Sequence, residues 1–265
     1  MSMKLWKRKR PPREEKPLKE VSKIAHKVFD DRTIAVLVSF INAGVFKSLD
    51  YPVASGKEAV VFRATTRAGA RAGVSDGFIA VKIFKYETAA FKKSAPYVEG
   101  DPRFKLNGVK HSVRAFVHLW AKKEFANLRA AFAAGARVPE PIACKENVVI
   151  MRFLGVGGVP SALLEDVVVE NPTGLLDEIL GDVKKCFEAG VVHADLSSFN
   201  IIMHEDKPFL IDWAQGVSVK HPRAREFLEK DVFNILSFFK RLGVETRFED
   251  ALARVTSGVR QSRNV

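Results

Sequence analysis

Residues 191–215 read VVHADLSSFNIIMHEDKPFLIDWAQ, a run in which His193, Asp195, Asn200 and Asp212 stand among Val, Ile and Leu. Apolar runs of this kind become buried strands and loop edges. A buried carboxylate or amide is tolerated there only when it is paired, hydrogen-bonded or bound to a metal ion. This run therefore constrains the fold more than any other, because the structure around it must bring partners to three oxygen-bearing side chains.

The rest of the chain limits what that structure is. With 265 residues, 47% hydrophobic and 28% charged, it suits one two-lobed domain or two small ones with an ample core, and disorder is excluded. Cys144 and Cys186, with no CxxC pair, exclude a disulfide scaffold or zinc ribbon and read as buried thiols. No apolar segment follows the basic N-terminus, and the longest apolar stretch, TIAVLVSFINAGVF, is too short for a bilayer. A cytoplasmic protein with no membrane partner is expected. The net charge of +12 favours acidic partners, nucleic acid above all. Residues 1–20 hold eight Lys or Arg against three Glu, although a solvated tail explains such a run equally well.

Residues 1–17, with three prolines and dense charge, are expected as a flexible arm. The spacing of Leu18, Val21, Ile24, Ala25 and Val28 predicts a helix, and DDRTIAVLVSFINAGVF predicts a second, capped by Asp and ending near Gly44. From Leu49 the texture is β-rich. EAVVFRATT and GFIAVKIFK, separated by RAGARAGVSDG, predict an antiparallel sheet. Residues 86–110 lack periodicity and predict a long loop. Helices are predicted at 112–135 and 173–190, each stopped by Gly, then through RAREFLEKDVFNILSFFKRLG and 248–260, with a strand at 146–154. The order is α+β: a small sheet with one main helix, then a mostly helical half. The expected division is 1–48, 49–153 and 154–265.

Lys82 lies in FIAVKIF, where alternation puts it on the face of Ala80 and Phe84. Alone it reads as an exposed lysine. Glu124 changes that weighing, because it falls in the helical row Val113, Val117, Trp120, Leu128 and interrupts the apolar stripe. An inward carboxylate needs a cation, and Lys82 is the best candidate; a Glu reaching water from the stripe edge is the plainer alternative. The loop ASGKEA contains GK without the spacing of a Walker A loop. Its small residues let backbone N–H groups approach phosphate, or simply make a hairpin turn.

The 191–215 run then acquires a chemical reading. His193, Asp195 and Asn200 match the H-x-D-x-x-x-x-N spacing of protein-kinase catalytic loops, and Asp212 stands where those enzymes place a metal-binding Asp. Phosphoryl transfer requires positioning, magnesium and charge neutralisation more than covalent help. Asp195 would accept the proton of the attacking hydroxyl, and Asn200 and Asp212 would give hard oxygen ligands to Mg2+. A cap or a solvent-facing role explains any one of them, but not the ordered set with Lys82 and Glu124 upstream.

Beyond this spacing, SGKEAVVF, AVKIFK, WAKKEFANL, VPEPI, HADLSSFN, IDWAQGVSVKHP and EFLEKDVFNILSFF resemble, in order and over about residues 20–250, the blocks of the RIO atypical protein kinases. The short N-terminal part leaves no room for the winged-helix domain of the RIO-two branch, so the resemblance is to an archaeal-type RIO-one kinase. It implies a two-lobed protein-kinase-like fold whose reduced C-lobe lacks the peptide-substrate helices and activation segment, in keeping with the missing A-P-E motif. It implies that Lys82 contacts the α/β-phosphates and pairs with Glu124. Ser55, Gly56 and Lys57 would form the phosphate loop, with Ser55 in place of the usual Thr. Met151 would back the adenine pocket, and Arg152, Phe153 and Leu154 would form the hinge, Arg152 replacing the family's usual Glu. Asp212 would also carry an aspartyl-phosphate. ATP with Mg2+ (or Mn2+) and a role in maturation of the small ribosomal subunit and its precursor rRNA are implied as well.

Ser94 and Ser112, in the segment leading to Glu124, are candidate autophosphorylation sites; a helix cap is the plainer reading of Ser112. Two other functions stay open. SGKEA and WAKKEFANL argue against a small-molecule phosphotransferase of the aminoglycoside/choline kinase type. The intact Lys82, Asp195, Asn200 and Asp212 argue against a non-catalytic RNA-binding assembly factor.

Overall fold

The computed structural model describes residues 6–8, 29–66, 77–86, 94–104 and 112–257. Nearly all of the helix expected at 18–30, most of the basic arm and the connector at 67–76 lie outside the described residues. Strand β1 (Trp6–Arg8) corrects the arm reading at its own three residues. It pairs antiparallel with β10 (Val167–Val169), a short valine strand whose open edge offers backbone donors and acceptors to any extended segment.

Helix α1 (Asp31–Asn42) starts where expected, with the Asp30 carboxylate accepting the Thr33 N–H at 2.8 Å. Five strands follow as one antiparallel sheet. They are β2 (Ser48–Ser55), β3 (Ala59–Thr65), β4 (Phe78–Phe84), β5 (Pro141–Lys145) and β6 (Val148–Arg152), in the order β2–β3–β4–β6–β5. Period-two alternation along β4 divides its side chains. Ile79, Val81 and Ile83 join Val36, Leu37 and Phe40 of α1 in one buried cluster. Ala80 and Phe84 join a second cluster on the other face, with Trp120 and Leu128 of helix α2 (Val113–Ala133). Each fully buried Val, Leu or Ile contributes about 1.5–3 kcal/mol, so both faces hold their helix firmly.

Ser112 caps α2, accepting the Ala115 N–H at 3.2 Å, and Gly135 at φ +72° ends it. The predicted apolar stripe needs one correction: Val113 is 51% exposed, and Phe116 takes its place in the core. The first residue of the helix projects past the sheet edge, while a side chain one turn later packs beneath it. The loop expected at 86–110 also contains a helical turn, Ala95–Tyr97. Tyr97 stacks on Phe227 at 5.2 Å, and His221 Nε2 lies 3.0 Å from Pro96 O and 2.7 Å from Glu99 O.

After the short hairpin β7 (Gly155–Val156) and β8 (Val159–Pro160), the chain is mostly helical. Strand β9 (Ala162–Leu163) and the β12–β13 hairpin (Ile201–His204, Lys207–Leu210) form a three-stranded sheet. Helix α3 (Pro172–Glu188) packs against it, and α4 (Ala224–Lys240) and α5 (Phe248–Thr256) pack on α3 and on each other. Strands β11 (Val191–Val192) and β14 (Val217–Ser218) pair antiparallel and bracket the polar run. The α2-facing core continues without a break from β4 and β6 into α3, α4 and α5. The architecture is the α+β arrangement expected, an antiparallel sheet followed by a mostly helical half. Among the described residues no helix is long and apolar enough to cross a membrane.

Candidate active site

Strand β4 and helix α2 meet at one ion pair. Lys82 Nζ lies 2.8 Å from Glu124 Oε1, and the Glu124 side chain is 1% exposed. The strand register, Val61↔Lys82↔Val149, centres the lysine in the sheet, so burial is forced on it and the exposed-lysine reading fails. A second carboxylate, Asp212 Oδ1, also lies 2.8 Å from Lys82 Nζ, with its side chain half exposed. Burial alone would lower the Lys82 ammonium, but Asp212 and Glu124 together hold it above its usual range. Burial raises Glu124 in spite of Lys82. Burial would raise Asp212 too, yet the charge and hydrogen bond of Lys82 keep it below the usual carboxylate range.

The catalytic-loop spacing folds as a tight strand exit after β11. Ala194 sits at φ +68°, a left-handed conformation that costs a non-glycine residue free energy. It is held there by Asp231 of α4, fully buried, whose two oxygens accept the Ala194 and Leu196 N–H groups at 2.7 Å each. Burial nonetheless pushes the Asp231 carboxyl up to about 7. Asn234, one turn from Asp231, donates to Leu196 O at 3.1 Å. His193 is a buried positioning group: burial lowers it to about 4, so its neutral ring donates from Nε2 to Ile211 O at 2.9 Å.

Asp195 is thereby presented beside Asn200, which donates through Nδ2 to Asp195 O at 2.7 Å, and Gln215, which donates to Asp195 Oδ2 at 3.0 Å. Burial and the Asp212 charge raise the Asp195 carboxyl, while Lys230 and Asn200 pull it down. A carboxylate so raised is a better proton acceptor. The bond from Asn200 Nδ2 leaves its Oδ1 as the acceptor for a cation. Asp212 and Asn200 would offer a cation oxygen donors only, and Asp212 is half open to solvent. Among the described residues no group of three His, Cys, Asp or Glu gathers around a metal position. Two protein oxygens fit Mg2+, which keeps several waters and takes phosphate ligands, better than they fit zinc.

Ser55, Gly56 and Lys57 form the exposed turn between β2 and β3. The Gly56 N–H bonds Ala59 O at 2.9 Å, closing the turn by its own backbone, and Lys85 Nζ donates to Gly56 O at 2.6 Å from just past the end of β4. Met151, Phe153 and Leu154 are buried where β6 leaves the sheet. There the Arg152 N–H bonds Glu140 O, and Leu154 O accepts the Ser161 N–H. Ser94 is 5% exposed in a small cleft with Glu58, Phe84 and Trp120, and Ser112 is exposed at the start of α2.

Three buried polar side chains that hold the backbone of this run escaped the sequence reading: Asp231, Lys123 and Asn127. Lys123 and Asn127 carried a signal, since Phe116, Trp120, Lys123, Asn127 and Ala131 repeat at helical spacing and all are buried. Lys123 Nζ donates to Ala214 O at 3.0 Å and to Gly216 O.

The sequence pattern of the RIO domain family matches residues 60–252. The chain is 39% identical over 223 residues to the RIO-type serine/threonine-protein kinase Rio1 of Haloferax volcanii, covering 84% of this chain and 74% of that one. It is 37% identical over 243 residues to the protein of the same name from Methanocaldococcus jannaschii, covering 91% and 80%. Among solved structures, a Rio2 kinase–ADP/Mg2+–phosphoaspartate complex from Chaetomium thermophilum superimposes with a TM-score of 0.63 at 23% identity, over 90% of this chain and 75% of that one. At that identity the likeness is one of fold.

Proposed function

The chain belongs to the RIO family of atypical serine/threonine protein kinases, and from that premise we propose that it transfers the γ-phosphoryl group of ATP to serine, with Mg2+, during maturation of the small ribosomal subunit. The observation that carries this reading is the chain of contacts from Glu124 through Lys82 to Asp212, beside Asp195 and Asn200.

Lys82, held by Glu124, is the cation that meets the α/β-phosphates. Asp195, its proton affinity raised, takes the proton of the attacking hydroxyl. Asn200 and Asp212 are the residues that would hold Mg2+, whose charge offsets that of the phosphates when bound. Ser55, Gly56 and Lys57 cover the phosphates, and Met151, Phe153 and Leu154 face adenine. On this reading 49–153 is the nucleotide lobe and 154–265 the catalytic lobe, behind an N-terminal 1–48 segment. The Rio2 structure from Chaetomium thermophilum is a phosphoaspartate complex, and Asp212 is the residue that would carry such a group here. Ser112, being exposed, is a better autophosphorylation candidate than buried Ser94. The +12 charge suits precursor rRNA, and the setting is cytoplasmic.

Radiolabelled ATP tests the reading. Asp195→Asn is expected to lower turnover by roughly 10²–10⁴ while nucleotide affinity stays close to wild type. An Asp195→Asn protein as fast as wild type would refute the assignment. Efficient labelling of an aminoglycoside or choline, with none on protein, would favour the small-molecule alternative.

A further inference from the structure

The turn that carries Asp212 is gripped from the α2 side by two polar side chains to which the catalytic reading gives no role. Lys123 has no exposed surface, and its Nζ meets Ala214 O and Gly216 O. Asn127, one turn further on and equally buried, donates through Nδ2 to Trp213 O at 2.9 Å and Gly216 O at 2.8 Å. Glu124, between them in sequence, holds Lys82, which in turn holds Asp212. A short stretch of one helix therefore controls both the backbone that follows Asp212 and the ammonium that faces it.

The fit leaves no slack. A Cβ on Gly216 would lie 2.7 Å from Asn127 Nδ2 and 3.2 Å from Trp213 O. Asp212 itself sits at φ +63°, which a non-glycine residue keeps only where its surroundings enforce it. An amine without a bonded carboxylate is a costly thing to bury, and burial lowers Lys123 to about 7. An apolar residue would fill the same volume without that cost, but it would take the lysine's donor from Ala214 O and leave Gly216 O to Asn127 alone.

We propose that Lys123 and Asn127 are positioning residues for the metal-binding carboxylate. They fix the carbonyls of Trp213, Ala214 and Gly216 and, through them, the left-handed turn that aims Asp212. The inference rests on the reading of Asp212 as the Mg2+ ligand.

The test is calorimetric binding of ADP with and without Mg2+, alongside kcat and KM for ATP, in the full chain. The proteins are wild type, Lys123→Met, Asn127→Ser and, as a packing control on the same helix, Leu128→Ala. The two positioning variants are expected to bind metal-free ADP within about twofold of wild type but to lose roughly tenfold or more of the Mg2+ enhancement, with a matching fall in kcat. Leu128→Ala should melt earlier and keep the enhancement. Should Lys123→Met fail to fold, Asn127→Ser decides alone. Wild-type Mg2+ enhancement in the folded positioning variants, or an equal loss in Leu128→Ala, overturns the proposal. A wild type that shows no Mg2+ enhancement overturns the kinase reading instead, a failure distinguishable from the first.

Discussion

The two faces of β4 are made by the same seven residues and follow opposite rules. Toward α1, Ile79, Val81 and Ile83 enter an apolar cluster in which area removed from water dominates, with one buried polar pair, Asn147 on Thr33, at its edge. Toward α2, Lys82 shares its face with Ala80 and Phe84 and meets Glu124 and Asp212, whose turn is held in place by Lys123 and Asn127. This second face is not the more stable solution. Asn127 Oδ1 and His193 Nδ1 lack hydrogen-bond partners among the described residues, and Ala194 and Asp212 hold left-handed backbones. Buried ion pairs are often replaceable by apolar residues at no loss of stability. The difference between the faces separates what the fold needs from what the chemistry needs.

Substitution on either side should break the comparison cleanly. Asp212→Ala is expected to cost on the order of 10³ in turnover, about 4 kcal/mol of transition-state stabilisation, with little change in melting temperature, since its side chain is half exposed. Ile83→Ala is expected to do the reverse, lowering stability by about 2–5 kcal/mol with kcat near wild type. Matched losses of activity and stability in both variants would erase the distinction.

A smaller effect sharpens the account of the α2 side. Lys123 keeps its proton up to its ordinary 10.5 in the unfolded chain but only to about 7 in the fold, where burial lowers it against the pull of Asp101 and Glu124, and Arg103 lowers it further. Between those values the unfolded chain binds the extra proton, so this group makes stability rise with pH, at most by about 1.4 kcal/mol per unit. Urea midpoints from pH 7 to 8.5 stay below the range in which the Cys144 thiol, pushed up to about 12, works the other way, and the Asp231 carboxyl, pushed up to about 7, opposes the slope at the low end in wild type and variant alike. Lys123→Met should flatten the slope; parallel wild-type and variant curves would deny the buried amine this role.

The smallest effect lies outside both faces. Replacing Lys9, Arg10, Arg13 and Lys16 with Ser leaves β1 intact and should reduce the salt slope of RNA binding by about 0.7–0.9 for each phosphate no longer neutralised. ATP turnover should stay within about twofold, because the nucleotide is held by local groups. An unchanged slope, measured by filter binding across a salt series, would remove the arm from the RNA-binding surface.

The alternation of FIAVKIF and the interruption of an apolar stripe by Glu124 were legible in sequence because each is a local period imposed by strand or helix geometry. Lys123 and Asn127 obey the same period, yet their acceptors are backbone carbonyls, which leave no mark in a sequence. Asp231 is hidden for the same reason, since it answers two amide groups. The pairing of β1 with β10 joins Lys7 to Val168, distant in sequence, through main chain alone, so composition suggested only a tail. Lys82, Glu124, Asp195, Asn200 and Asp212 could be picked out by side-chain identity; the backbone contacts that hold them could not.

Trp213 follows Asp212 directly, with no exposed surface, its indole N–H on Leu210 O at 3.1 Å and its ring 4.6 Å from that of His193. Its carbonyl is also one of those the α2 clamp holds. The chromophore is therefore part of the turn that carries Asp212, and an imidazole lies against it. Any shift of the Asp212 turn when nucleotide and cation bind alters the spacing of indole and imidazole, and with it the emission of the protein. Trp213, one of three tryptophans in the chain, is an optical gauge of the Asp212 turn, readable in solution without a label.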